Sequence, residues 1–261
     1  MSDRDSGAAT PEVTPRTLGM RDRFFNALFP MFQAHREYVI ITADNGAPTL
    51  DQFARDLPDQ FFNVGIAEQQ MMGMACGLAV EGRRVWTYAI APFVTIRVAE
   101  QVKLDLAASN LPVTCLGVGA GYAYDVMGPS HHTVEDIGLM RAMPNMTVYS
   151  PADGATAEAL THETSMGQGP KYVRFDRAGL PDLYTKKQID LHSGIMVHGT
   201  GKDVVIVSTG VMVHTALDAR VDLEREGIKT SVVDIARIKP LNATLLASKL
   251  ARARLVVTLE E

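Results

Sequence analysis

Short apolar runs alternate along the chain with longer stretches in which apolar residues recur every three or four positions. Runs such as Tyr38–Thr42 and Leu255–Leu259 are typical of short apolar strands. The stretch 17–35 is typical of an amphipathic helix. Strands that alternate with helices of about 10–15 residues indicate βαβ units around a mostly parallel sheet. The pattern therefore predicts an α/β fold.

Two series of such elements are separated by a polar connector at residues 182–193. The predicted strands are 38–42, 61–64, 84–89, 111–118, 147–149, 171–175, 203–208, 229–234 and 255–259. The predicted helices are 17–35, 67–80, 93–108, 133–143, 155–166, 213–226 and 243–251. The second series makes a smaller α/β unit than the first.

The predicted helix 67–80 is apolar on nearly every side, which is typical of a helix buried in a core or against another subunit. Glu68 is an ionisable residue at its start. One interpretation is that this carboxylate only complements the helix dipole, a contribution of about 0.3–1 kcal/mol. The other is that a carboxylate at the mouth of an apolar segment has a chemical role.

Composition narrows the class of protein. The 261 residues are 46% hydrophobic, enough for a sizeable core, and the net charge of −5 argues against a dedicated nucleic-acid binder. No apolar run approaches the roughly 18 residues of a membrane span, and no signal peptide precedes the first helix. Cys76 and Cys115 lie in apolar runs and are interpreted as reduced core thiols of a cytoplasmic protein. Residues 1–16 are predicted to form a flexible arm.

The segment Asn63-Val-Gly-Ile-Ala-Glu-Gln69 closely resembles the signature that opens the pyrimidine-binding domain of transketolase-like, thiamine-diphosphate-dependent enzymes. In that family the Glu faces N1′ of the cofactor's aminopyrimidine ring and drives the tautomerisation that lets the 4′-amino group take the C2 proton. The resemblance implies that Glu68 is catalytic and binds the cofactor. It also implies that Asp44, just after the strand Tyr38–Thr42, lies in the active-site cleft, although Asp-Asn-Gly is commonly only a turn.

Two further segments carry the resemblance. Pro92-Phe93 matches the segment that supplies an aromatic face to the aminopyrimidine, so Phe93 is a candidate for stacking, with a plain core position as the alternative. Gly128-Pro-Ser-His131 is similar to the family's Gly-Pro-Thr-His, whose His contacts the substrate oxygen at the reacting carbon. His131 takes that position. The alternatives are a loop His bonded to its backbone and a metal site of His131, His132 and Glu135.

The substrate end of the cleft is represented by Arg177, which aligns with an arginine that binds an acceptor phosphate or carboxylate in the family. The alternative is a surface salt bridge in which Arg174 or Arg177 pairs with Asp176. This chain has Gly119 and Val126-Met127 where transketolases read sugar hydroxyls and phosphate. Asp125, together with Tyr122 and Tyr124, is expected to supply different contacts to a sugar or sugar-phosphate substrate.

The family holds thiamine diphosphate through a divalent cation on a Gly-Asp-Gly…Asn motif, which this sequence lacks. The resemblance therefore implies a separate diphosphate-binding subunit that binds Mg²⁺, an α2β2 assembly, and transfer of a two-carbon ketol unit between sugars. It implies a pyrimidine-binding domain at 17–181, a linker at 182–193 and a C-terminal transketolase domain at 194–261 that is cut short. The alternatives are the β subunit of a 2-oxo acid dehydrogenase, a 1-deoxyxylulose-phosphate-synthase-like enzyme, and a scaffolding subunit without activity.

Overall fold

The computed structural model describes residues 18–261, so the predicted arm at 1–16 lies outside the described residues. Seven strands of this part of the chain form one sheet in the order β10-β5-β6-β4-β3-β1-β2. All neighbours are parallel except β10, which pairs antiparallel with β5. The strands are β1 Tyr38–Thr42, β2 Phe61–Asn63, β3 Arg84–Ile90, β4 Val113–Val118, β5 Thr147–Tyr149, β6 Lys171–Phe175 and β10 Arg237–Lys239.

Helices cover both faces of this sheet, which is why its strands read as continuous apolar runs. In β1, Ile40 faces a core that contains Phe24, Phe25 and Trp86, whereas Val39 and Ile41 face the opposite core. The helices of this part are α1 Met20–Ala34, α2 Leu50–Asp56, α3 Glu68–Val80, α4 Ala91–Val94, α5 Ala99–Gln101, α6 Asp136–Ala142 and α7 Gly154–Ser165.

A second sheet has four strands in the order β11-β8-β9-β7. Helices α8 and α9 cover its two faces. Its elements are β7 Ile195–His198, β8 Val204–Ser208, α8 Met212–Arg225, β9 Thr230–Ile235, α9 Ala243–Leu250 and β11 Leu255–Leu259. The predicted α/β fold, with a mostly parallel sheet followed by a smaller α/β unit, is confirmed.

The connector at residues 182–193 fastens the two sheets to each other. The backbone N–H groups of Leu183 and Tyr184 donate to Asp153 Oδ2, at 2.6 and 3.1 Å, at the start of α7. The Tyr184 hydroxyl donates to Asp234 Oδ2 of β9 at 2.8 Å. Strand β10 adds a direct link, because it follows β9 in the chain yet pairs with β5 of the first sheet.

Parallel pairing in register aligns the carboxyl ends of the strands at one edge of the first sheet. Val118, the last residue of β4, pairs with Ile90 of β3 and with Phe175 of β6. Thr42 of β1 pairs with Asn63 of β2. The segments that leave this edge are the ones from which ligand sites in such sheets are built. No helix within residues 18–261 is long and apolar enough to cross a membrane.

Two predicted helices are corrected by the structure. The helix predicted at 93–108 is broken: α4 ends before Thr95, whose φ of −122° and ψ of −83° are not helical. A 3₁₀ turn (Ile96–Val98), α5 and a π-helical stretch (Val102–Ala107) follow. The helix predicted at 133–143 begins only at Asp136, because Thr133 pairs with Gly121 in an isolated β-bridge.

Candidate active site

Glu68 lies at the first position of α3, five residues beyond the end of β2. The turn between them is shaped by Asn63, whose Oδ1 accepts from the N–H groups of both Gly65 and Asp44 at 3.0 Å. Gly65 has a φ of +72°, which a glycine adopts without strain. The Glu68 side chain is thereby carried under the carboxyl edge of the sheet, and the residue is only 5% exposed.

Arg97 is the ionic partner of this buried carboxylate. Its Nη1 donates to Glu68 Oε1 at 2.8 Å, and its Cζ lies 3.8 Å from the centroid of the Phe93 ring. The guanidinium therefore has Glu68 at its edge and the aromatic ring against its face. The Arg97 side chain is 41% exposed, so the pair is open to solvent from the arginine side.

The His131 ring continues this contact series. Its centroid lies 5.1 Å from that of Phe93 in an edge-to-face arrangement and 6.0 Å from that of Tyr124. His131 Nδ1 lies 3.0 Å from the Ser130 hydroxyl. Five residues that were predicted from the sequence thus fall, together with Arg97, in one chain of contacts, which we call the active-site row: Glu68, Arg97, Phe93, His131, Tyr124 and Arg177.

Arg177 closes the row at its far end. Its Cζ lies 4.8 Å above the Tyr124 ring. Among residues 18–261 neither Arg177 nor Arg174 forms a salt bridge with Asp176: Arg174 pairs with Asp136 and Glu261, and Asp176 Oδ1 accepts from the Ala178 N–H at 2.6 Å. Burial raises the pKa of Tyr124 and the neighbouring Arg177 cation opposes that shift.

A pocket of about 320 Å³ lies beside Tyr124, between the segments that follow β1, β4 and β6. Arg177 and Arg21 both line it. Arg21 also donates to the Tyr88 hydroxyl at 3.2 Å and pairs with Asp22 at 2.9 Å. Asp22 and Asp176 line the same pocket, so its charge is balanced, and the two guanidinium groups are the donors that it offers to an anionic group.

The loop that carries His131 is anchored at its base. Gly121 and Thr133 exchange two backbone hydrogen bonds, of 3.0 and 2.8 Å. Arg174 donates from Nη2 to the Thr133 carbonyl at 3.3 Å and from Nε to Asp136 Oδ2 at 2.9 Å. The Tyr172 hydroxyl donates to the same carboxylate oxygen at 2.6 Å. We call Arg174, Asp136 and Tyr172 the loop anchor. All three are buried, and burial, together with the Asp136 charge, raises the pKa of Tyr172.

Two predicted site residues lie outside the contact series. Asp44 follows β1 with a φ of +55° and an exposed side chain, at the same edge of the sheet. The Asp125 side chain accepts from the N–H of its neighbour Val126 at 2.7 Å, and its carbonyl accepts from His132. His131 and His132 thus have different partners. Among residues 18–261, no cluster of three or more His, Cys, Asp or Glu side chains could hold a metal ion.

Sequence reasoning missed Arg97 and Arg21. Arg21 could have been found, because a cation in the first turn of a helix is unfavourable for the helix dipole and therefore indicates a role other than helix stabilisation. Arg97 carried no such signal, since it lies inside a segment predicted as one regular helix. Its meeting with Glu68, 29 positions earlier, depends on the tertiary fold.

Comparisons with known proteins identify the family of both parts of the chain. Residues 16–182 match the family model of the transketolase pyrimidine-binding domain, and residues 194–261 match that of the transketolase C-terminal domain. The chain is 34% identical to one of the subunits of the apulose-4-phosphate transketolase of Phocaeicola vulgatus, over 94% of this chain and 79% of that protein. It is 31% identical to a 6-deoxy-6-sulfo-D-fructose transketolase subunit of a Clostridium species, over 95% and 78%.

A solved structure described as a split-gene transketolase in an inactive β4 tetramer superposes with a TM-score of 0.84 at 36% identity. The match covers 94% of this chain and 80% of that one.

Proposed function

The chain belongs to the transketolase family, and from that premise we propose that it is the pyrimidine-binding subunit of a split, thiamine-diphosphate-dependent transketolase. With a diphosphate-binding partner it transfers a two-carbon ketol unit between sugars. The observation that carries the proposal is the active-site row, which joins Glu68, Phe93, His131 and Arg177 through contacts at the carboxyl edge of the first sheet. A scaffolding subunit would not need that arrangement.

The residues present fit the aminopyrimidine half of the cofactor. The guanidinium of Arg97 is planar, donates a hydrogen bond to Glu68 and has its Cζ 3.8 Å from the centroid of the Phe93 ring. The site that holds this guanidinium thus offers a slot for a planar group, a carboxyl group at its edge and an aromatic face. An aminopyrimidine ring needs the same three features. When bound, thiamine diphosphate supplies an electron sink for carbon–carbon bond cleavage and formation.

Each residue of the row has a role on this proposal. Glu68 bonds N1′ of the ring and exchanges a proton there, and its burial keeps water from competing. Phe93 stacks on the ring, worth roughly 0.5–1.5 kcal/mol beyond the buried area. His131, edge-on to Phe93, donates to the substrate oxygen at the reacting carbon. Asp44 stays a candidate for the cleft because it leaves the same edge of the sheet.

The substrate is proposed to be an anionic sugar derivative whose recognition differs from that of simple pentose phosphates. Arg21 and Arg177 bind the anion in the pocket between them. Gly119 has a φ of +87°, and a Cβ at that position would collide with the Tyr124 ring. Tyr124 thus fills the space of the side chain that transketolases carry there, and Asp125 remains a candidate for a further polar contact.

The partner is inferred from the relatives and from the sequence. Those relatives include proteins named as single subunits of transketolases and a split-gene transketolase, and this chain has no Gly-Asp-Gly…Asn motif for the diphosphate and its cation. We propose that the partner binds Mg²⁺ and the diphosphate, in an α2β2 assembly. Residues 17–181 then form the pyrimidine-binding domain, 182–193 the linker and 194–261 part of the C-terminal domain.

Reconstitution with a chain that carries the missing motif tests the proposal. The mixture should transfer a ketol unit between a ketose and an aldose, and neither chain should do so alone. Calorimetry of the isolated chain with thiamine diphosphate and Mg²⁺ should show weak binding. Micromolar binding without a partner would overturn the split arrangement, and a reconstituted complex without transfer activity would overturn the reaction.

A further inference from the structure

The side chain of Arg97 occupies the space that the proposed function reserves for the aminopyrimidine ring. Its Nη1 donates a hydrogen bond to Glu68 Oε1 at 2.8 Å, and its Cζ lies 3.8 Å from the centroid of the Phe93 ring. A planar ring that lay on the same face and bonded the same oxygen would overlap the guanidinium. Both contacts of the ring are therefore already made by a side chain of this chain.

The local backbone accounts for this placement. The helix that starts at Ala91 breaks at Thr95, whose hydroxyl donates to the Ala91 carbonyl at 2.6 Å, and Arg97 lies in the 3₁₀ turn after the break. A side chain in such a turn departs from the direction that a continuous α-helix would give it. The break thus places Arg97 beside Glu68.

The pair also has a physical reason to form. A carboxylate that is 5% exposed is costly without a partner, and Arg97 provides the partner from the solvent side. Because the arginine side chain is 41% exposed, it can leave without unpacking the core.

We propose that Arg97 is a built-in competitor of the cofactor: it holds Glu68 and Phe93 in the arrangement that the aminopyrimidine needs, and it is displaced when the ring binds. This inference rests on the proposed function. Its consequence is that the affinity for thiamine diphosphate includes the cost of breaking the Arg97–Glu68 and Arg97–Phe93 contacts. An ion pair that is open to solvent on its arginine side and a cation–π contact together correspond to roughly a five- to thirtyfold loss of affinity.

The test is calorimetric titration of thiamine diphosphate with Mg²⁺ into the reconstituted complex. Arg97→Ala should bind the cofactor roughly five- to thirtyfold more tightly than the wild type. Arg97→Lys, which keeps a cation for Glu68 but cannot stack as a plane, should fall between them. The matched control is Arg225→Ala, which removes an exposed arginine paired with Asp222 in α8 and should leave the affinity unchanged.

A second readout follows the side chain itself. The guanidinium NMR signals of Arg97, assigned by their loss in Arg97→Lys, should shift when the complex is saturated with cofactor. Unchanged signals would overturn the proposal that Arg97 competes with the cofactor. Cofactor binding to Arg97→Ala that is no tighter than binding to the wild type would overturn it as well.

Cofactor binding by Glu68→Gln distinguishes failure of the competitor proposal from failure of the proposed function. If Glu68→Gln weakens cofactor binding while Arg97→Ala does not strengthen it, the cofactor site stands and only the competitor is wrong. If Glu68→Gln binds as the wild type does, the ring does not use Glu68, and both proposals fall.

Discussion

At the scale of single residues, Glu68 combines burial with a position at the carboxyl edge of the sheet, opposite an aromatic face. Replacing it with Gln keeps nearly the same shape, so α3 should pack as before. Because an amide cannot exchange a proton with N1′, we expect turnover of the reconstituted enzyme to fall by about 10²–10⁴. The control is Glu81→Gln, at the exposed other end of the same helix, which should keep full activity. More than half of normal turnover in Glu68→Gln would contradict the catalytic role.

The two arginines of the small pocket and His131 should differ in their kinetic signatures. Arg177→Ala and Arg21→Ala each remove a charge-assisted bond of about 1.5–3 kcal/mol to an anionic acceptor. The acceptor KM should rise roughly ten- to a hundredfold, while the donor half-reaction is spared.

His131→Ala should slow both half-reactions, because its ring lies beside Phe93 at the reacting end of the row. Steady-state kinetics with a panel of aldose acceptors measures all three variants, with the exposed Arg55→Ala as control. An unchanged acceptor KM in Arg177→Ala, with ribose 5-phosphate as the best acceptor, would refute the substrate proposal.

Motif-bearing residues could be found from the sequence because strand ends and short signatures are local features. Glu68, Phe93 and His131 were each predicted from a segment of a few residues, and parallel strand register then brings those segments together. Arg97 could not be found, because its contact with Glu68 depends on a helix break that no periodicity reveals. The roles of these residues remain predictions.

At the scale of elements, long apolar segments were predictable and short or irregular ones were not. The bounds of β1, β5, β6 and β11 agree with the sequence pattern, since each is an apolar run between turn residues. Strand β10 was missed because three residues carry no periodicity, and it exists only through pairing with β5 of the other sheet. The prediction of one helix at 93–108 was wrong because the helix breaks at Thr95, within the β-branched run Val94-Thr95-Ile96, whose helix propensity is lower than that of the Ala- and Leu-rich residues 99–108.

The loop anchor gives a prediction at this scale. Asp136→Asn removes the closer of the two carboxylates that face the buried Arg174 and leaves only Glu261, at 3.7 Å. Breaking a buried pair from one side costs about 3–5 kcal/mol. We expect that loss in the free energy of unfolding, with faster proteolysis between residues 122 and 132. The control is Asp51→Asn, an exposed aspartate in the first turn of α2, another seven-residue helix. Equal midpoints of urea unfolding for the two variants would contradict a stabilising role of the loop anchor.

At the scale of the whole molecule, Asp234 couples stability to pH at the junction of the two sheets. Burial raises its pKa to about 7, Asp153 adds to the shift, and the hydrogen bond from Tyr184 opposes it. His198, whose Nε2 lies 2.8 Å from the Tyr184 hydroxyl, has a pKa lowered by burial and by Arg220.

Between pH 4 and 7 the folded chain therefore holds a proton on Asp234 that the unfolded chain, with a carboxyl pKa of about 3.9, has lost. This group's contribution to the free energy of unfolding falls as pH rises, by at most about 1.4 kcal/mol per unit. Asp234→Asn cannot ionise, so its stability relative to wild type should increase from pH 5 to pH 8. Denaturant unfolding at both values measures this difference, and a difference that is constant across pH would contradict it.

The outer face of α3 is an exposed apolar surface that bears on how the subunits assemble. Ile66, two residues before the helix, is 80% exposed and Val80 at its end is 69% exposed; Gly73 and Gly77 between them are exposed as well. The sequence predicted burial on every side; in the chain itself only the inner face is buried. An exposed apolar face with small residues allows close approach of another backbone, and it begins beside Glu68, where a subunit that holds the diphosphate has to come near.

We therefore expect the diphosphate-binding partner to cover this face, and Gly73→Glu to prevent assembly. A Cβ at Gly73 meets nothing within 4 Å in the chain, so the isolated variant should fold normally. The matched control is Gly138→Glu in α6, which is equally helical, exposed and free of neighbours within 4 Å. It carries the same change in helix propensity and charge, but on another surface. Light scattering of each variant mixed with the partner should show the complex for Gly138→Glu and separate chains for Gly73→Glu. A complex of normal mass and affinity with Gly73→Glu would show that the partner docks elsewhere, because a buried, unpaired carboxylate at the centre of an interface costs several kcal/mol.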